Sequence, residues 1–96
     1  MKPSEALHRH RIDIRNVVEQ NRTRNPRVFG SALRGDDTDE SDLDLLVDPT
    51  PDTTLMDIAR IQNQLQQILG VPVDVLTPKA LPEKFRDRVL KEAAPV

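Results

Sequence analysis

The 96-residue sequence has no cysteine, no tryptophan and no tyrosine, and only two phenylalanines. Without cysteine there is no disulfide, no thiolate–zinc centre and no sulfur nucleophile. With aromatics this scarce, the chain lacks the platform on which proteins stack single-stranded bases, so direct nucleic-acid binding is disfavoured. Long apolar runs are missing too: no stretch approaches the ~20 residues that a membrane-spanning helix needs. The opening residues, Met1-Lys2-Pro3-Ser4-Glu5, carry none of the apolar core of a secretion signal. These absences predict a cytoplasmic protein with no membrane role. At this length a single domain, 1–96, is expected. Its core must be aliphatic and lean, because so short a chain buries only roughly two-thirds of the surface exposed on unfolding.

What is present is unevenly spread. Net charge is −2, yet six arginines and only two acids, Asp13 and Glu19, lie between Arg9 and Arg27. Seven acids and no base lie between Asp36 and Asp48. A solvated helix followed by an acidic loop would account for both blocks. A metal-binding acidic cluster beside a basic surface for phosphates or an acidic partner accounts for them equally well.

Hydrophobic spacing predicts a helix capped by Ser4 and running to about residue 21, with Leu7, Ile14, Val17 and Val18 on one face. A short strand is predicted over 27–29, a turn over 30–35, and a polar loop over 36–40 that projects into solvent. Residues 42–47 form the clearest strand, stopped by Pro49-Thr50-Pro51. Asp52 or Thr53 would cap a helix whose stripe is Leu55, Ile58, Ala59, Ile61, Leu65, Ile68 and Leu69, closed by Gly70. A strand over 71–76 and a helix over 82–92, with Leu81, Phe85 and Val89 turned inward, complete the chain. The expected class is α/β (α+β): a mixed sheet of three to four strands with helices packed on it. The short link between 27–29 and 42–47 favours antiparallel pairing.

Asp42-Leu43-Asp44 is where chemistry enters. Residues two apart on a strand share a face, with Cα atoms ~7 Å apart, so both carboxylates can address one point. On a mostly apolar strand they repel each other and are desolvated, a conflict that a divalent cation resolves. Oxygen ligands without nearby His or Cys favour Mg²⁺ or Mn²⁺ over zinc. An edge strand with its polar face in water is the bland alternative, and Asp-x-Asp alone does not exclude it. Asp74 adds weight, since it interrupts the apolar run Val73-Asp74-Val75. If that strand lies beside 42–47, three carboxylates converge, which suits two metal ions ~3.5–4 Å apart. Gly30-Ser31 follows a strand and opens a helical turn, where backbone N–H groups and the Ser31 hydroxyl can hold phosphate oxygens. Arg34 stands three residues on, able to neutralise developing charge. His8 and His10, one residue apart on a helix, face different ways and do not form a metal pair.

Together, Gly30-Ser31-Ala32-Leu33-Arg34-Gly35, then Ser41-Asp42-Leu43-Asp44-Leu45-Leu46-Val47, then Asp74 resemble the nucleotidyltransferase signature, and within that superfamily the minimal nucleotidyltransferases. The resemblance runs from the strand before Gly30 to the C-terminal helix, with one departure: Leu33 stands where many relatives carry a small residue. It implies that Asp42 and Asp44 bind two Mg²⁺ ions, that Asp74 completes the site nearest the acceptor, and that Gly30 and Ser31 hold the β- and γ-phosphates of ATP. Arg34 matches a basic position of the family. The implied activity is transfer of AMP to a hydroxyl, a tyrosine of a HEPN-type ribonuclease toxin, by an antitoxin enzyme. An antitoxin that silences its toxin by binding alone is the alternative.

Overall fold

The computed structural model describes residues 1–96. Two helices, α1 (Pro3–Arg9) and α2 (Arg11–Gln20), lead into strand β1 (Thr23–Phe29). A single-turn helix α3 (Ser31–Arg34) and an acidic loop then precede β2 (Leu43–Pro49). Helix α4 (Leu55–Leu69) and β3 (Val73–Leu76) follow, then a 3₁₀ turn (Pro78–Ala80), α5 (Glu83–Glu92) and the two-residue β4 (Ala94–Pro95). The sheet order is β3-β2-β1-β4. β1 is antiparallel to both β2 and β4, while β2 and β3 are parallel. The sheet is therefore mixed and four-stranded, as a helical crossover between parallel neighbours and a short link between antiparallel ones require.

Alternation along the strands divides the sheet into two faces. Leu43, Leu45 and Val47 of β2 join Val28, Val73 and Val75 in one core, with Ala6, Leu7, Ile14, Val17 and Val18 of α1 and α2 and Ile61, Leu65 and Leu69 of α4. Phe29, Asp44, Leu46, Asp74 and Leu76 alternate with these and belong to the other face. There Leu46 and Leu81 are buried outside the main core, beneath the 3₁₀ turn and α5.

Several sequence expectations need correction. The first helix breaks at His10 (φ −121°, ψ 27°), which lets α1 reach α3 and β2 while α2 lies on β1 and α4. Ser4 does not cap it: Pro3 occupies the first helical position, where its missing N–H costs nothing, and Ser4 lies inside the turn. β1 begins four residues earlier than predicted, because a bulge absorbs Asn25 (φ 55°) and Pro26, which cannot donate to a regular ladder. β2 starts at Leu43, so Asp42 stands at its lip, and β3 is shorter than 71–76. The α4 cap is Thr54, in a reciprocal capping box with Asp57. Along α4 only Ile61, Leu65 and Leu69 of the predicted stripe are buried, one every four residues; Ile58 is half-buried and Leu55, Ala59 and Ile68 are exposed, so the seam is narrower than predicted. α5 buries no residue: Phe85 is exposed and Val89 half-buried, although Leu81 is inward as expected.

Two polar devices hold α4 in place. Gln66 and Gln62 accept hydrogen bonds from the outward Val73 and Val75 N–H groups at 3.1 and 2.9 Å, covering the free edge of β3. Asp57, fully buried, pairs with Arg22 at 2.8 Å and Arg60 at 2.9 Å. The Thr54 N–H first, then Arg22, pull its pKa down to about 2 against the effect of burial.

Candidate active site

β1 ends at Phe29, directly opposite Asp44 on β2. The next residue, Gly30, has φ 74° and ψ −152°, a conformation open essentially to glycine alone. Position 30 also has no room for a side chain, since a Cβ there would overlap the Asp44 carboxylate. Both constraints arise because the chain must turn sharply off β1 into α3 while passing over β2. Ser31 opens α3, whose first N–H groups have no intrahelical acceptor. Arg34 ends α3, exposed and 3.6 Å from Asp36. Leu33 packs partly against the main core and Ala32 is buried there, so the larger residue before Arg34 is accommodated.

Asp44 and Asp74 are register partners on neighbouring parallel strands, which puts their Cα atoms ~4.8 Å apart on one face. Asp44 is half-buried; Asp74 and Asp42 are exposed. Burial raises the Asp44 pKa first, the Asp74 charge second and the Asp42 charge third, to about 6, with Arg34 working in the opposite direction. The charges of Asp74, Asp42 and Arg34 therefore all act on Asp44. The three acids form an open row and do not close into a preformed three-ligand cage. Even so, a divalent cation fits the residues present. All the donors are hard oxygens, their mutual repulsion calls for positive charge, and the missing Cβ at Gly30 keeps the Asp44 carboxylate from being displaced.

All six residues singled out in the sequence thus lie at one end of the sheet. Arg22 and Arg27, from the basic block, do not; they are tied to Asp57 and Asp48. Two further features escaped the sequence reading. One is a cleft of about 250 Å³ that opens beside Gly30 and Arg34, walled by Phe29 and Leu76 of the sheet and by Phe85, Arg88 and Val89 of α5. The Arg88 guanidinium lies over the Phe85 ring, 5.1 Å from its centroid. The spacing Phe85, Arg88, Val89, Glu92 marks one helix face, but sequence alone does not say that this face borders Gly30 and Arg34. The other is Asp37, predicted to project into solvent with its loop and in fact buried.

The chain is similar to known proteins. Residues 12–96 match the nucleotidyltransferase domain. A Methanocaldococcus jannaschii protein, provisionally named a protein adenylyltransferase, is 38% identical over 69 residues, 72% of this chain and 74% of its own. A solved chain, provisionally described as a minimal nucleotidyltransferase, superposes with a TM-score of 0.86 at 38% identity, covering 97% of this chain and 95% of that one. A chain from the crystal structure of a toxin–antitoxin with AMP-PNP shares the fold at 17% identity (TM-score 0.70, 83% of this chain and 66% of that one). No helix here is long and apolar enough to cross a membrane. With the Gly30-Ser31 turn, the paired strand aspartates and the family match agreeing, the chain belongs to the nucleotidyltransferase domain family.

Proposed function

We propose that this protein is a Mg²⁺-dependent protein adenylyltransferase acting as an antitoxin: it transfers AMP from ATP to a hydroxyl, a tyrosine, of a HEPN-type ribonuclease toxin. The observation that carries the reading is the juxtaposition of Gly30 with Asp44, itself in register with Asp74. Phosphate-binding backbone and charge-bearing carboxylates meet at one point, as transfer of a nucleotidyl group demands. A protein acceptor is favoured by the name of the Methanocaldococcus jannaschii relative, and a toxin partner by the fold shared with the toxin–antitoxin chain.

In the reaction the acceptor oxygen attacks the α-phosphorus in line. A new O–P bond forms, the bond to the β-phosphate oxygen breaks, and pyrophosphate leaves. Asp42, Asp44 and Asp74 would hold the cations, two in number, which would supply positive charge to lower the acceptor hydroxyl's pKa and offset charge on the leaving group. Gly30, Ser31 and the first N–H groups of α3 hold the β- and γ-phosphates, and Arg34 adds a positive charge on that side. The apolar cleft against α5 takes the nucleoside, with Phe85 and Arg88 as its wall. The hydroxyl proton passes to a carboxylate, Asp74 in this reading, or to solvent. Retention of all three acids favours catalysis over neutralisation by binding alone.

The decisive experiment is intact-mass measurement of the cognate toxin after incubation with this protein, ATP and Mg²⁺. A gain of one or more AMP units, absent with Asp42→Asn/Asp44→Asn, establishes the activity. An inhibited toxin of unchanged mass would replace it with the binding-only reading.

A further inference from the structure

The acidic loop between α3 and β2 contains one residue that does not behave like a loop residue. Asp37 is only 5% exposed, and its carboxylate accepts the Ser4 N–H at 2.8 Å. That amide lies in the first turn of α1, where no intrahelical carbonyl is available, and Lys2 at the N-cap makes no side-chain cap bond. Burial opposes the charged form of Asp37, but hydrogen bonds, chiefly from Ser4, outweigh it and hold the carboxyl below its usual range. The N-terminal amine of Met1, 3.6 Å from Asp39, joins the same two segments a second time.

On either side of Asp37 the chain is fixed. Before it, the Asp36 N–H donates to the Ser31 carbonyl at 3.2 Å, tying the loop to the Gly30-Ser31 turn. After it, residues 38–41 close on themselves. Thr38 N–H donates to Ser41 Oγ at 2.9 Å, Glu40 N–H to Thr38 Oγ1 at 3.2 Å, and Ser41 N–H to the Thr38 carbonyl at 3.1 Å. Leu43 N–H donates to the Pro72 carbonyl at 2.8 Å, which anchors the start of β2. Asp42 is the one residue between that closed turn and that anchor. Its side chain is exposed, so packing does not hold it; the turn and the strand do.

We propose that Asp37 is a positioning residue: by pinning the 38–41 turn to α1, it fixes where Asp42 stands beside Asp44 and Asp74, and so sets the site's affinity for divalent cations. The inference rests on reading these three acids as cation ligands. It adds a role for α1, which otherwise contributes only Pro3, Ala6 and Leu7 to the interior.

The test is Mn²⁺ binding, followed by electron paramagnetic resonance, in the full chain without nucleotide. The parent protein binds and Asp44→Asn does not. Asp37→Ala weakens binding about tenfold or more, the scale seen when a residue supporting metal ligands is removed. Asp37→Asn keeps an oxygen for the Ser4 N–H and stays within about threefold of the parent, because the tether persists without its charge. Ser41→Ala opens the turn without touching α1 and also weakens binding. In the metal-free protein, amides 38–43 exchange faster in Asp37→Ala than in the parent. Parent-like affinity in Asp37→Ala overturns the proposal, and so does an equal loss in Asn and Ala, which would mean charge at a distance. Should Asp37→Ala fail to fold, unchanged affinity in Ser41→Ala overturns it as firmly. If the parent itself binds no Mn²⁺, the reading of the acids fails and the inference falls with it. A binding parent with an indifferent Asp37→Ala sinks the inference alone.

Discussion

On one face of the sheet, Leu43, Leu45 and Val47 of β2 lie at zero exposure under α1, α2 and α4. On the opposite face, the alternate residue Asp44 carries a pKa pushed up to about 6 by burial and by two neighbouring acids. That face is covered only in part, by a helix, α5, that buries none of its own side chains. One strand thus serves both purposes because its side-chain period is two: odd positions bind the fold together and Asp44 works against it. The physical lesson is a separation of roles. A lean chain can tolerate a cluster of like charges if the main apolar core is built on the far side of the same strands.

The largest effect that could break this contrast is on activity. Asp42→Asn/Asp44→Asn is expected to lower AMP transfer by roughly 10³-fold or more, the scale of losing a preorganised charge-stabilising group. The same change relieves repulsion, so the melting temperature of the metal-free protein stays level or rises. A variant that melts well below the parent would show the acids to be structural.

Next comes packing. Leu45→Ala should destabilise by about 3 kcal/mol in chemical denaturation, as buried Leu→Ala changes do. Leu76→Ala, half-buried on the open face, should cost less than about 1.5 kcal/mol. Equal costs would mean that the open face is closed in solution and would erase the distinction drawn between the two layers.

The two faces should also respond oppositely to pH. Asp57 has a depressed pKa, about 2, so its contribution is complete above the unfolded value near 3.8 and is lost as pH falls through about 2. Asp44 has a raised pKa, so its contribution is complete below about 3.8 and is lost as pH rises through about 6. Melting temperature against pH for the parent, Asp57→Asn and Asp44→Asn separates them: Asp57→Asn flattens the acid limb, and Asp44→Asn flattens the limb between pH 4 and 6. Unchanged profiles in both would remove the electrostatic half of the comparison.

The smallest expected effect sits on α5. Phe85→Ala should change stability by less than about 1 kcal/mol, because the residue is 41% exposed and outside the main core. It should nevertheless weaken ATP binding several-fold, on the order of 1 kcal/mol, as measured by calorimetry. Unaltered ATP affinity would detach the cleft from the donor nucleotide.

Sequence by itself determined the element types, because periodicity and punctuation are local. The apolar run 43–47, the spacing Ile61, Leu65, Leu69 and the Gly70 cap each state their structure within a few residues. It also singled out Gly30, Ser31, Arg34, Asp42, Asp44 and Asp74 as a candidate set through their resemblance to the nucleotidyltransferase signature, with Asp74 conspicuous as a charge that interrupts an apolar strand. What only the tertiary structure decided is every relation between distant residues. The pairing of Asp44 with Asp74 depends on a parallel register, and the need for glycine at position 30 depends on the neighbouring carboxylate. Arg22 and Arg27 looked like part of a basic surface until their long-range partners Asp57 and Asp48 appeared. Asp37 looked like solvent-facing loop until Ser4, 33 positions away, supplied its donor. Composition reports which groups a chain must satisfy, but the partner of a buried charge is chosen by the path of the backbone, and no local pattern encodes that path.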